Sequence, residues 1–292
     1  MVATENAEQT MRSWAARSYD SSWTLKDTLL YALAVGARPS RELPFVYERY
    51  GPKVLPTFAT RLAKEALEDF GTHLMRAGLT TVLYSTSVES TEGLTPECGD
   101  ATTAARVGDL RNAGRHLLVD LIAATTIESR SVASIVHTIW VRDAAIDGLP
   151  SIDAASGASA QAESFRFEDE VRDEQYALWR LQENLSLDRQ LPDELHIDPE
   201  YTQQHGFGAP FITGECTLGF AGRAILRWAG ENTTISRMTA RFRQPVLPGD
   251  HLITTVHQAA DGHAAFEVHN HHGRLVLSDG SLAYSAAEDS PT

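Results

Sequence analysis

Residues 195–226 read LHIDPEYTQQHGFGAPFITGECTLGFAGRAIL. A polar segment with His196 and Asp198 runs into a Gly/Pro-rich loop, Gly206 to Pro210, and an apolar segment then opens on Thr213-Gly214. Cys216, Leu218, Phe220, Ala221, Ala224 and Ile225 give that segment the apolar density of a buried helix, and Gly219 and Gly222 allow a close neighbour. Asp198-Pro199 predicts an N-cap followed by proline in a first helical turn. A helix that starts at Thr-Gly has unpaired backbone N–H groups at that end, and these stabilise a developing negative charge. An imidazole close before such an end is the minimum needed for proton transfer beside an oxyanion.

The rest of the chain bounds the reading. At 292 residues it is long enough for one large core or two smaller ones. No apolar run approaches a membrane span, and MVATENAEQTMRSW lacks the basic and apolar regions of a secretory signal, so a cytoplasmic location is expected. A net charge of −14 argues against sequence-independent nucleic-acid binding. Two cysteines, Cys98 and Cys216, are too few for a disulfide framework, and Cys216 reads as a buried thiol.

Along the chain, residues 1–23 are polar and predict a loosely held start, though Trp14 and Trp23 call for packing. LKDTLLYALAVGA, from Leu25, has near-helical spacing, with Gly36 as its stop. FATRLAKEALEDF predicts a second helix: Pro56 suits its first turn, and Phe58, Leu62, Ala66 and Phe70 repeat every four. Strands are expected at Thr80 to Ser87, Arg115 to Glu128 and Ser131 to Val141, with loops from Thr91 to Asn112. Asp147 to Ala160 is the linker candidate. The second half repeats this plan. A short helix comes at Asp173 to Leu181, and a long apolar helix at Phe211 to Trp228. Strands follow at Ile235 to Arg243, His251 to Gln258, Ala264 to His271 and Leu275 to Ser285, and the tail from Ala286 is expected to be disordered. A plan used twice argues for duplication and an α+β fold.

The central stretch resembles the MaoC-like, type-2 enoyl-CoA hydratase family. Leu195-His196-Ile197-Asp198-Pro199-Glu200, Gly206-Phe207, Pro210-Phe211-Ile212 and Gly214 to Ala221 carry the resemblance. Ala240 to Asp250 is similar to a strand of that family with its Pro-Gly-acid turn; Tyr31 to Ala37, Phe45 to Glu48 and Leu55 to Phe58 are similar to its N-terminal repeat. The resemblance implies a double hot dog: two antiparallel sheets, each wrapping a long central helix, which could pair edge to edge into one continuous sheet. Residues 1–150 would form a non-catalytic repeat that shapes the substrate tunnel, and residues 151–292 the repeat with the hydratase-like motif.

The resemblance also implies a chemistry, the hydration or dehydration of an acyl thioester on CoA or an acyl-carrier protein. His196 would be the general acid and base, Gly214 N–H the oxyanion donor, and a carboxylate the partner of His196. The family places Asp five positions before the His, where this chain has Leu191. Leu185-Ser186-Leu187-Asp188-Arg189 matches the family's segment if three residues are inserted, which makes Asp188 the partner; Asp193, Glu194 or no carboxylate are the other possibilities. Thr213 replaces the family's second His and is taken, with Arg241 and Arg243, as a substrate contact; the two arginines would reach a phosphate of the carrier or else serve as solvent-facing charge. The expected cofactor set is none beyond the CoA or phosphopantetheine of the substrate, and the expected assembly a homodimer. The altered motif leaves two other readings: a protein that binds acyl or polyketide-like ligands without hydration, or an enzyme that cyclises or isomerises such a substrate with His196.

His269, His271 and His272 fall at a predicted hairpin tip, where His269 and His271 would share a strand face. No Cys or carboxylate accompanies them at a useful spacing, so no metal site is expected. No dinucleotide fingerprint, phosphate loop or nucleophile elbow is present.

Overall fold

The computed structural model describes residues 2–91, 98–152, 164–182, 195–230 and 232–285. The chain divides into two compact units. Met1–Ser22, Ala59–Gly93 and Asp100–Ser159 make the first; Trp23–Phe58, Leu94–Gly99 and Ala160–Thr292 make the second. Trp23–Phe58, expected with the first repeat, thus packs in the second unit. Part of the candidate linker, residues 153–160, and the tail from residue 286 lie outside the described residues.

The first unit holds helix α1 (Val2–Ser13) and most of strand β1 (Arg17–Thr24). The polar opening of the chain is ordered because Ala7, Met11 and Trp14 fall on one helical face and are buried, and the Trp14 ring meets Phe70 edge-on at 5.1 Å. Of the next elements, α2 (Leu25–Ala34) and α3 (Leu43–Val46) belong to the second unit, and α4 (Ala59–Arg76) to the first. Of the predicted four-residue repeat, Leu62, Ala66 and Phe70 are buried on α4, followed by Leu74, while Phe58 falls in a short 3-10 turn before the helix. The helix lies over strands β2 (Thr81–Ser90), β4 (His116–Ile127) and β5 (Arg130–Val141). With β3 (Cys98–Ala113), the unit's strand order is β1-β3-β4-β5-β2.

β3 corrects the loop expected from Thr91 to Asn112. Its Gly, Ala and Asp content disfavours a strand, yet it pairs antiparallel along β4, from Thr102–Thr126 to Ala113–His116. Ala101, Thr103 and Ala105 alternate inward. The small inward residues let α4 come close enough for Thr103 Oγ1 to donate to the Leu62 carbonyl at 2.9 Å.

The second unit holds β6 (Ser164–Glu170), α5 (Gln175–Gln182), α6 (Pro199–Gln204), α7 (Gly214–Ala229), β7 (Thr234–Phe242), β8 (His251–Ala260), β9 (His263–Asn270) and β10 (Leu275–Ser285). Its strand order is β7-β10-β9-β8-β6, antiparallel throughout. α7 is the central helix. Every residue from Glu215 to Leu226 is buried, because the strands cover one side and the segment around α2 covers another. A Cβ on Gly219 would lie 2.9 Å from Val35 Cβ. α2 is held in turn by α5: Gln175 Nε2 donates to the Leu33 and Ala34 carbonyls at 3.0 and 2.8 Å, satisfying acceptors that a helix end leaves open. This is why residues 23–58 travel with the second unit. Among the described residues, no helix is long and apolar enough to cross a membrane.

Candidate active site

The decisive stretch folds as a loop and a short helix that deliver His196 to the start of α7. Asp198 caps α6, its Oδ1 accepting the Glu200 and Tyr201 N–H groups at 2.8 and 3.1 Å, with Pro199 in the first turn as predicted. Thr202 Oγ1 reaches back to the Leu195 carbonyl at 3.2 Å, which fixes the segment just before His196. The Phe207 N–H closes on the Thr202 carbonyl at 3.1 Å. The chain then turns into Phe211 and Ile212, and the Ile212 N–H donates to the Val246 carbonyl at 3.0 Å.

His196 is half-buried against this loop. Its Nδ1 is 2.7 Å from the Phe211 carbonyl oxygen, and its ring meets the Phe211 ring edge-on at 4.8 Å. A carbonyl only accepts, so Nδ1 carries the hydrogen and donates. In the neutral ring the lone pair is then on Nε2, the tautomer a general base needs. Phe211 stands three residues before the first residue of α7.

At that helix end, Thr213 is the N-cap. Its Oγ1 accepts the Cys216 N–H at 3.1 Å, and its carbonyl accepts from Thr217 N–H and Oγ1, both at 3.0 Å. The Thr213 hydroxyl is therefore committed to the helix, and it takes up the Cys216 N–H. The Gly214 N–H is left at the first helical position, without an acceptor among the described residues. The Phe242 ring packs on Gly214, where an added Cβ would meet its Cε1 at 3.0 Å.

Arg241 and Arg243 lie elsewhere. With Phe242 turned toward α7, strand alternation puts its two neighbours on the opposite face. There each guanidinium is 3.9 Å from Asp279 Oδ2, and Arg243 Nε donates to Ser278 Oγ at 2.7 Å. Arg243 and Arg274 line an open hollow of about 540 Å³. The structure thus brings together His196, Phe211, Thr213 and Gly214 and sets the arginines apart. Asp188, Asp193 and Glu194 lie outside the described residues. Sequence reasoning missed the Phe211 carbonyl, for which no residue type is diagnostic, and Phe242, which the alternation of β7 could have placed.

A second recess, of about 230 Å³, is lined by Glu42, Phe45, Leu55, Arg223, Leu226 and Arg227 beside the far half of α7. Arg223 holds Glu42, and Arg227 holds Asp169. Burial raises the Asp169 pKa, and Arg223 and Arg227 oppose that rise.

Residues 157–277 match the family described as MaoC like domain. A Mycobacterium tuberculosis protein named 3-hydroxyacyl-thioester dehydratase Y is 32% identical over 288 residues, covering 90% of this chain and 93% of that protein. A MaoC-like dehydratase structure from Phytophthora capsici superposes with a TM-score of 0.79 at 20% identity, covering 97% of this chain and 99% of that one. A second structure, from M. tuberculosis and described as a double hotdog fold, gives a TM-score of 0.60 at 17% identity over 98% of this chain and all of that one. The fold is the double hot dog, and by its sequence kinship across nearly its whole length this chain belongs to the MaoC-like dehydratase family.

Proposed function

We infer that this protein is a hydro-lyase that adds water to an enoyl thioester, or in reverse removes it from a 3-hydroxyacyl thioester. The observation that carries the reading is the 2.7 Å contact from His196 Nδ1 to the Phe211 carbonyl, which leaves Nε2 as the base on the loop that enters α7. In hydration Nε2 takes a proton from water as the water oxygen bonds to the substrate β-carbon. The electron pair of the double bond moves onto the thioester oxygen, where the Gly214 N–H holds it. Return of a proton to the α-carbon completes the addition. One oxyanion donor of this kind contributes about 3–4 kcal/mol to the transition state. The name of the M. tuberculosis relative supports the substrate class.

Asp188 is the carboxylate we assign to His196, with Asp193 and Glu194 as the competing candidates. The carrier is CoA or an acyl-carrier phosphopantetheine, and it is the only non-protein group the reading calls for. Arg241 and Arg243 are assigned to its phosphates, on the face away from the reacting atoms. Residues 1–150 serve as the non-catalytic repeat that shapes the substrate tunnel. A cytoplasmic homodimer completes the proposal. Because Leu191 stands where the family has its Asp, a second reading keeps ligand binding without hydration, or turns His196 to isomerisation or cyclisation.

The test is turnover of a crotonyl thioester by the wild type and by His196→Ala. Wild-type hydration, reduced at least about 100-fold in the variant, is the expected result. Equal rates would reject His196. A wild type that binds the thioester without turning it over would favour the second reading.

A further inference from the structure

We propose that Asp250, His271 and His272 form a site for one divalent transition-metal ion, zinc being the best match. The expectation of no metal near these histidines rested on the lack of a nearby carboxylate in the sequence. The fold supplies one, because pairing of β8 with β9 returns Asp250, just before β8, to the turn after β9. One ligand atom from each of the three residues lies within 4.8 Å of the others. His271 Nδ1 and Asp250 Oδ1 are 3.6 Å apart. Bonds of about 2.0–2.1 Å to a tetrahedral ion put ligand atoms roughly 3.4 Å from each other, so this edge is already near its bound length.

The orientation of His271 is the second observation. The His251 backbone N–H donates to His271 Nδ1 at 3.1 Å, so that nitrogen carries a lone pair and no hydrogen. An imidazole nitrogen has a single in-plane lone pair, so an ion bound at His271 Nδ1, 3.6 Å from Asp250 Oδ1, takes the place of the His251 hydrogen bond. The His272 ring lies beside His271, with centroids 3.9 Å apart.

The surroundings hold these groups in place. Asp250 is buried; its Oδ2 accepts the Leu247 N–H at 2.9 Å and its Oδ1 the Asn270 side-chain amide at 3.3 Å. The Asn270 Oδ1 accepts the His272 and Arg274 N–H groups at 3.1 and 3.0 Å, which fixes the turn that carries both histidines. Such outer partners set ligand orientation in metal sites. His251, whose Nδ1 lies 2.8 Å from Glu168, is outside the set of three whose ligand atoms converge. His269, by Glu267, is outside it too. Two imidazoles and one carboxylate suit zinc, nickel or copper rather than calcium or magnesium, and three protein ligands leave a fourth position to water. The ion would tie the start of β8 to the β9–β10 turn, apart from the reaction assigned to His196.

The experiment is titration of zinc into the tag-free full chain, stripped with a chelator, by calorimetry, with cobalt as a spectroscopic probe of ligand geometry. One saturable equivalent is expected, with a tetrahedral cobalt spectrum. His271→Ala/His272→Ala should weaken zinc binding at least 100-fold while thioester turnover stays at the wild-type rate, and His269→Ala should bind as the wild type does. If the double variant unfolds, His272→Ala alone gives the same comparison. Failure to saturate, binding unchanged by loss of the two histidines, or equal loss in His269→Ala would each overturn the site.

Discussion

Arg223 and Glu42 are 181 residues apart in sequence and form a two-pronged ion pair inside the second unit, with Nε–Oε1 at 3.0 Å and Nη2–Oε2 at 2.6 Å. Both side chains are almost wholly out of water, at 1% and 6% exposure, so neither charge has solvent to fall back on. Removing one partner of such a pair typically costs roughly 3–5 kcal/mol, whereas replacing both with apolar groups costs much less. Urea unfolding should therefore find Glu42→Leu strongly destabilised and Glu42→Leu/Arg223→Met closer to the wild type. A single variant within about 1 kcal/mol of wild type would show that the pair matters little.

His137, on β5, is fully buried beside Thr86, whose Oγ1 is 3.1 Å from its Nδ1. Burial, helped by the charge of Lys64, pulls its pKa from the ordinary 6.5 down to about 3. Between these values the unfolded chain binds a proton that the folded chain refuses. Stability should fall with pH across that window, by up to about 1.4 kcal/mol per pH unit from this residue. His137→Leu should show a flatter dependence between pH 7 and pH 5 in urea unfolding. Equal slopes in the two proteins would contradict this account.

Gly219 lets α7 run against Val35, whose branched side chain has no long arm to swing aside. Gly219→Ala should lower stability by about 1–3 kcal/mol, since extra atoms in a filled core force shifts around them. Adding Val35→Ala should return part of that loss. If the two changes are simply additive in a double-mutant cycle, the contact is not the cause.

The assignment of Asp188 gives a sharp comparison. Asp188→Asn should lower kcat for a crotonyl thioester about 100-fold, whereas Asp193→Asn and Glu194→Gln should change it by less than about threefold. A large drop in either of the other two and none in Asp188→Asn would move the role to that residue.

Residues with a strong period were readable before any coordinates. Leu62, Ala66 and Phe70 mark one face of α4, and the apolar run from Cys216 marks α7. β3 was not readable, because its small residues are chosen by the closeness of α4 and not by strand preference. Within the site, His196, Gly214 and the Asp198 cap could be placed from their spacing. The hydrogen on His196 Nδ1 could not, since it is set by a main-chain oxygen that any residue at 211 would offer. Likewise the carboxylate of Asp250 is joined to His271 by sheet pairing, across twenty residues of intervening chain.

Residues 23–58 are finished early in synthesis, but α7 and α5, against which they pack, come much later. At about 5–20 residues per second, a ribosome needs on the order of ten to thirty seconds to travel from Phe58 to the start of α7. During that interval Tyr31, Val35 and Glu42 have left the exit tunnel, and their mates have yet to be translated. The nascent chain must carry this early segment unfinished until its later half arrives.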